Sequence, residues 1–97
     1  RGFPTGTWQC SDEAGLSPLD KKHAEVGVRY ATKVTTDGKW TTEWVLPWSA
    51  LGLSDRKGKQ LLFNITVRKP ASKLWLMWQG TGGHSWAVEN AGRIQLP

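Results

Sequence analysis

Cysteine is almost absent from this chain, and long apolar runs are absent altogether. Cys10 is the only cysteine among 97 residues, which excludes an internal disulfide framework and a zinc site with several cysteine ligands. The longest mostly apolar run, residues 44–53, is interrupted by Pro47, Ser49 and Gly52. It is far shorter than the roughly 20 residues that a membrane-spanning helix needs. The sequence therefore predicts no membrane span.

The residue patterns of catalytic sites are also missing. The eight acidic residues form no recognisable pair of the kind that flanks a glycosidic bond in glycosidases. The nucleophile elbow, the zinc-binding helix motif and the phosphate-binding loop do not occur in the sequence. His23 and His84 have no partner at ligand spacing, so we assign no metal ligands. The sequence predicts that the protein is not an enzyme.

The chain is moderately basic, with 13 Lys or Arg against 8 Asp or Glu and a formal net charge of +5. The basic residues are spread along the sequence, and only the run 56–59 resembles a cluster. Nucleic-acid binding through stacked bases uses the same residue types, but no motif of a nucleic-acid-binding domain accompanies them. A solvated surface explains the charge, and we predict no nucleic-acid partner.

The length allows one domain, which we assign to residues 1–97. Position 1 is Arg rather than Met, and no charged-then-apolar leader follows it. We therefore expect a processed or excised piece of a protein, with no targeting signal in the piece itself.

Tryptophan is the positive feature of the composition. Seven of the ten aromatic residues are Trp, whereas a core of this size is usually built from Leu, Ile, Val and Phe. Indole has a wide apolar face and an N–H that needs a partner when it is buried. Any single Trp fits a core position. The surplus as a whole predicts that some of the rings lie at a surface and stack on a ligand.

Alternating apolar residues predict an all-β fold after an irregular beginning. Residues 1–22 are rich in Gly, Pro, Ser, Thr and Asp and show no sustained period, as in an irregular lead-in. Residues 23–97 alternate as β-strands do, with a turn at 36–39 and one helical turn at 48–52. The predicted strands are short and cover roughly residues 26–34, 40–46, 61–68, 74–78 and 94–96.

Five strands do not complete an antiparallel β-sandwich, because each of its two sheets must bury one face against the other. Trp40, Trp44 and Leu46 share one face of their strand and are predicted core residues. We expect that the chain is an incomplete sandwich, or that a second copy or another chain completes it.

Three stretches carry a family resemblance. Residues 37–53 combine an aromatic strand, an outward Glu43, an aliphatic-Pro step and a turn that ends Ala-Leu-Gly; residues 62–68 form a Phe-Asn-aliphatic strand. The C-terminal stretch has Trp78, a Gly-rich loop, a second Trp at position 86 and the run Gly-Arg-Ile-Gln-Leu. Together, over roughly residues 24–96, they resemble the family 9 carbohydrate-binding modules and their relatives.

The resemblance implies a jelly-roll β-sandwich in a secreted or cell-envelope protein, such as an enzyme that degrades plant cell walls. The module of that family is longer, and this chain is similar to its C-terminal half with a remnant of the middle. The N-terminal half of the family module carries most of its calcium ligands and one of the two Trp residues that enclose the sugar. We therefore assign no cofactor and leave calcium open.

The candidate ligand-binding residues include three aromatic side chains and one histidine. Trp86 matches the C-terminal binding Trp of the family and lies in a predicted loop, where its face can stack on the C–H face of a sugar ring. Trp78, at the end of a strand, fits a core, an edge or a platform position. Trp75 points to the face opposite Leu74 and Leu76. His84, in the same loop as Trp86, completes this set.

Polar candidates lie on the strands. Glu43, Asn64, Thr66 and Arg68 are predicted to point away from the core face, where they could hydrogen-bond sugar hydroxyls or form a solvated sheet face of little energetic value. Thr66 and Gly83 stand where the family places a Gln and an Asn that bond the sugar. Both differences remove donors, so the sequence favours a simple stacking platform over recognition of a reducing end.

These observations predict a non-catalytic carbohydrate-binding module for a polysaccharide such as cellulose or xylan. One alternative is a β-sandwich without a ligand that has a structural or interaction role. A weaker alternative is a haem-binding domain of the DOMON type, in which Met77 and His84 would be the candidate axial ligands.

Overall fold

The structure is a computed structural model that describes residues 1–10 and 25–97. Two compact units are present, residues 1–55 and residues 56–97. The described residues form six β-strands and three short 3-10 turns, and these strands pair into three antiparallel two-stranded sheets. The prediction of an all-β class is confirmed, as small antiparallel sheets. Most of the predicted lead-in lies outside the described residues. The first predicted strand, roughly residues 26–34, begins at Arg29 in the structure.

A β-hairpin dominates the 1–55 unit. Strand β1, Arg29–Val34, pairs with strand β2, Trp40–Val45. The Gly38 N–H donates to the Thr35 carbonyl at 2.9 Å, and Gly38 has a φ of 79°. The Thr35 N–H donates to the Lys39 carbonyl at 2.9 Å, so the loop proper is residues 36–38. A three-residue loop with Gly in the left-handed region is a common hairpin connection, and the predicted hairpin and its turn are confirmed.

The N-terminal residues fold back on themselves. The Phe3 N–H donates to the Thr7 carbonyl at 2.9 Å, the Gln9 N–H donates to the Arg1 carbonyl at 2.8 Å, and Gly2 forms an antiparallel bridge with Trp8. The first part of the predicted irregular lead-in therefore contains a small antiparallel pairing.

This N-terminal pairing packs on the aromatic face of the β1–β2 hairpin. Tyr30 and Trp44 are directly opposite each other in the hairpin, with ring centroids 4.5 Å apart. A Cβ at Gly2 would lie only 2.6 Å from atoms of both rings, and the Tyr30 hydroxyl donates to the Phe3 carbonyl at 2.8 Å. Glycine at position 2 therefore allows the backbone to lie directly on the two rings.

A short 3-10 turn, Trp48–Leu51, follows β2. Pro47 precedes the turn and Gly52 ends it, with a φ of 68° and an N–H that donates to the Ser49 carbonyl. The predicted helical turn and its glycine stop are both confirmed. Ala50, within the turn, is buried.

The 56–97 unit contains two antiparallel sheets of two strands each. Strand β3, Gln60–Phe63, pairs with the last strand, β6, Gly92–Gln95. Strand β4, Thr66–Lys69, pairs with β5, Leu74–Met77, through a 3-10 turn at Pro70–Ser72.

The prediction of one continuous strand over residues 61–68 is wrong. The chain leaves the β3–β6 ladder after Phe63 and joins the β4–β5 ladder at Thr66. Between the two ladders the side chain of Asn64 takes over pairing: its Oδ1 accepts from the Gln79 N–H at 3.0 Å, and its Nδ2 donates to the Gln79 carbonyl at 2.9 Å. The five predicted strands are consequently six among the described residues.

Few apolar side chains are buried. Among the described residues, the buried hydrophobic residues are Ala50 and Leu96. Trp44 and Leu46, which the sequence predicts to be core residues, are 38% and 40% exposed. The physical reason is that a two-stranded sheet has too little area to bury a face by itself.

No helix in the described part of the chain is long and apolar enough to span a bilayer.

Candidate functional site

The loop after β5 holds two aromatic rings in a parallel stack. The rings of His84 and Trp86 have centroids 4.5 Å apart and an interplanar angle of 3°. Backbone hydrogen bonds tighten the loop here: the Ala87 N–H donates to the His84 carbonyl at 3.0 Å, and the Val88 N–H donates to the Trp86 carbonyl at 2.9 Å. Trp86 nevertheless is 49% exposed. The predicted loop residue is therefore held in one orientation while much of its ring faces solvent.

Thr81 anchors this loop. It is only 6% exposed, and its hydroxyl donates to the His84 carbonyl at 2.8 Å. The Asn90 side-chain amide donates to the Thr81 carbonyl at 3.1 Å. Sequence reasoning missed Thr81, because a single Thr among glycines shows no pattern that distinguishes an anchor from an ordinary loop residue.

Trp78 combines packing with exposure. Its ring centroid lies 6.2 Å from that of Phe63, at an interplanar angle of 58°. A Cβ at Gly92 would lie 2.8 Å from Cη2 of Trp78 and closer still to Cζ3, so the indole lies directly on that glycine. Trp78 is 59% exposed. The sequence leaves a core, an edge or a platform position open for Trp78. In the structure one side of its ring is packed and the rest is accessible, as at the edge of a sheet.

Trp75 is 52% exposed and lies directly opposite Arg68 in the β4–β5 register. The Arg68 guanidinium carbon is 5.5 Å from the centroid of the Trp75 ring, within the range of a cation–π interaction. Leu74 and Leu76, on the other face of the strand, are exposed as well. Within the part of the chain that the structure describes, both faces of the β4–β5 hairpin are therefore accessible to solvent.

The four predicted polar residues lie on different elements of the structure. Thr66 and Arg68 are two residues apart on β4 and share the face that carries Trp75. Both polar atoms of the Asn64 side chain are hydrogen-bonded to the Gln79 backbone, and its contact with a sugar stays a prediction. Glu43 is exposed on β2, in the 1–55 unit.

The 1–55 unit contains a pocket that the sequence did not predict. Its volume is about 210 Å³, and its walls include Trp8, Trp44, Val28 and Leu46. The two indole rings meet edge to face, with centroids 6.0 Å apart and an interplanar angle of 73°. The lining is predominantly apolar, which suits an apolar group better than a hydroxyl-rich sugar.

The arrangement of Met77 and His84 bears on the haem alternative. The Met77 sulfur lies 3.7 Å from the Thr81 hydroxyl, and the His84 ring lies flat against Trp86. Both side chains thus have contacts within the loop region, and the haem alternative stays a prediction. Within residues 1–10 and 25–97, no cluster of three or more His, Cys, Asp or Glu side chains is placed to hold a metal ion.

Comparison of the chain with protein-family models, with curated proteins and with solved structures found no match. The functional argument therefore depends on the geometry of the described residues.

Proposed function

We propose that the protein is a non-catalytic carbohydrate-binding module that stacks polysaccharide sugars on exposed Trp residues of the 56–97 unit. One observation supports the proposal above others. Trp75, Trp78 and Trp86 each expose about half of their surface, yet each is fixed on one side by a specific neighbour. Those neighbours are Arg68, Gly92 with Phe63, and His84, respectively.

Fixed and exposed indole rings suit a sugar ligand for a physical reason. Fully burying a large apolar side chain is worth about 1.5–3 kcal/mol, and a ligand that covers the exposed half of one of these rings recovers part of that free energy. A ring already held in place loses little conformational entropy when the ligand binds. Pyranose rings present C–H faces that match a flat aromatic surface, and the indole N–H is available for a hydroxyl.

The expected affinity of a single site is weak. Stacking of a base on an aromatic side chain is worth about 1–3 kcal/mol, and we take the same order for a sugar ring. A few such contacts correspond to dissociation constants of roughly millimolar to micromolar. Retention on a polysaccharide would then depend on several contacts at once or on multivalency.

The proposed fold is a jelly-roll β-sandwich that further strands complete. The three sheets of the described residues have two strands each, and a sheet of that size is marginal without additional packing. The missing strands would come from a second copy of the chain or from an N-terminal half of a longer module. We propose a secreted or cell-envelope protein as the parent of such a module, as the family resemblance implies.

A second candidate function has its own support. Leu74 and Leu76 share one face of β5 and are 51% and 48% exposed. Adjacent exposed aliphatic side chains on a sheet face suit a protein interface better than a sugar. A β-sandwich with a structural or interaction role is therefore the alternative proposal.

A pull-down on insoluble cellulose, xylan and chitin tests the two candidates. We expect the chain to be retained on at least one polysaccharide, Trp86→Leu to lose most of the retention, and Trp86→Phe to keep part of it. The Leu variant preserves apolar bulk and the Phe variant preserves an aromatic face, so the pair isolates stacking from general hydrophobicity. Circular dichroism checks that both variants are folded. Absence of retention by the folded wild-type chain on all three would favour the interaction domain.

A further inference from the structure

Charge is distributed very unevenly between the two units. Residues 56–97 contain seven Lys or Arg and a single acidic residue, Glu89, a formal net charge of +6. Residues 1–55 contain six basic and seven acidic residues, a net charge of −1. No Asp or Glu occurs between Arg56 and Val88. The unit that carries Trp75, Trp78 and Trp86 is therefore the source of the whole net positive charge.

Three of these basic residues belong to the hairpin that presents Trp75. Arg68 lies over the Trp75 ring, Lys69 ends β4, and Lys73 connects the 3-10 turn to β5 with a φ of 54°. All three are exposed. An aromatic platform and a group of cations thus lie on one short element.

We propose that the β4–β5 hairpin binds an anionic polysaccharide whose sugar rings carry carboxylates, such as a polyuronate. This inference rests on the proposed function and narrows its ligand class. The Arg68 guanidinium carbon lies 5.5 Å from the centroid of the Trp75 ring, so a carboxylate on a sugar that contacts the exposed part of this indole would need to reach only past the ring edge to meet the guanidinium. Guanidinium binds a carboxylate through two parallel hydrogen bonds, which adds a charged contact to the stacking contact. Basic residues of the same unit raise the local concentration of a polyanion by long-range attraction.

The geometry favours a polyuronate over a single-stranded nucleic acid. Proteins that bind single strands combine stacked aromatic side chains with a basic groove that follows the phosphate backbone. Here Trp75 and Trp86 are each covered on one side, by Arg68 and His84, and the cations of the hairpin gather at its turn. A one-sided platform with a neighbouring guanidinium matches a carboxylated sugar ring.

Affinity electrophoresis of the full chain through gels that contain polygalacturonate tests the proposal. The matched control ligand is the same polymer with its carboxylates methyl-esterified, which keeps the sugar backbone and removes the charge. We expect retardation by the free acid at least about tenfold stronger than by the ester, on the scale of a charge-assisted bidentate contact. Retardation should weaken strongly as salt rises from about 50 mM to about 300 mM, since screening shortens the range of the attraction.

Two charge-matched variants locate the site. Arg68→Gln should weaken retardation by about tenfold. Arg93→Gln removes the same charge from an exposed position of β6 in a different sheet, and should weaken it by about twofold or less, as for a peripheral charge. Equal effects of the two variants would overturn the assignment to the β4–β5 hairpin. Circular dichroism of both variants checks that they are folded.

The remaining outcomes separate this inference from the proposed function. Equal retardation by the acid and the ester would overturn the preference for carboxylates while it supports a carbohydrate-binding module. Binding of a thymidine oligonucleotide as strong as that of polygalacturonate would overturn the polyuronate in favour of a nucleic acid. Absence of binding to every charged and neutral polysaccharide would contradict the proposed function itself.

Discussion

The side chain of Asn64 pairs with the backbone of Gln79 as a neighbouring strand residue would. Its Nδ2 donates to the Gln79 carbonyl at 2.9 Å and its Oδ1 accepts from the Gln79 N–H at 3.0 Å. The adjacent backbone bond, from the Trp78 N–H to the Ile65 carbonyl at 2.9 Å, extends the β4–β5 ladder to the same point. Asn64 therefore closes the ladder at the position where the chain crosses from one sheet to the other.

Asn64→Ala should reduce the free energy of unfolding by about 1–2 kcal/mol, because it removes two hydrogen bonds of ordinary strength. Asn64→Asp should cost more, since the amide donor is replaced by an oxygen that faces the Gln79 carbonyl. Urea denaturation followed by Trp fluorescence measures both effects.

Gln79→Ala is the control for the Asn64 variants. It leaves the backbone pairing intact and removes a side chain whose amide donates to the Gly80 carbonyl at 3.3 Å. We expect a change within about 0.5 kcal/mol, as for an ordinary surface substitution. Losses of equal size at both positions would contradict the strand-like role of the Asn64 amide.

Gly92→Ala should destabilise the 56–97 unit by about 1–3 kcal/mol, the usual cost of forcing an extra methyl group into a packed contact. The added Cβ would meet the Trp78 ring, with Cη2 at 2.8 Å. Thermal or urea denaturation measures the loss. Gly80→Ala is the matched control, since a Cβ there would meet no atom within 4 Å.

A double-mutant cycle shows whether Trp78 is the source of that cost. In a Trp78→Ala background the ring is gone, so the further substitution Gly92→Ala should cost much less than it does in the wild type. An undiminished cost in that background would show that the strain lies elsewhere in β6.

The β1–β2 hairpin could be predicted from the sequence because two local signals agree. Apolar and aromatic residues alternate on both sides of the loop, and Gly38 follows Asp37 where a left-handed residue is needed. The break in the predicted strand 61–68 could not be predicted in the same way. The apolar alternation continues without interruption through Ile65, and periodicity does not show that a side-chain amide replaces a backbone partner.

The candidate site was predictable in its residue types and less so in its contacts. An excess of Trp indicated exposed rings, and Trp75, Trp78 and Trp86 are exposed. The parallel stack of His84 on Trp86 depends on the conformation of a loop that has no repeating pattern. The charge difference between the units became visible only once the structure divided the chain at Asp55.

The loop of the β1–β2 hairpin predicts a small acid-sensitive contribution to stability. A hydrogen bond from the Thr35 hydroxyl, followed by one from the Lys39 backbone, lowers the pKa of Asp37 below its ordinary value of 3.8. A carboxyl whose pKa is lower in the folded state stabilises that state above its unfolded pKa. The contribution is lost as the pH falls through the lower, folded pKa.

Asp37→Asn should therefore lower the thermal midpoint at neutral pH by a small amount, because the carboxylate is fully exposed and screened by solvent. The difference between wild type and variant should shrink as the pH falls below 3.8 and through the lower pKa of the folded state, because the wild-type carboxyl then becomes protonated in both states. Thr35→Val removes the donor and should weaken the same pH dependence. A difference between wild type and Asp37→Asn that stays constant from neutral to acid pH would show that the carboxylate charge has no role in stabilising this loop.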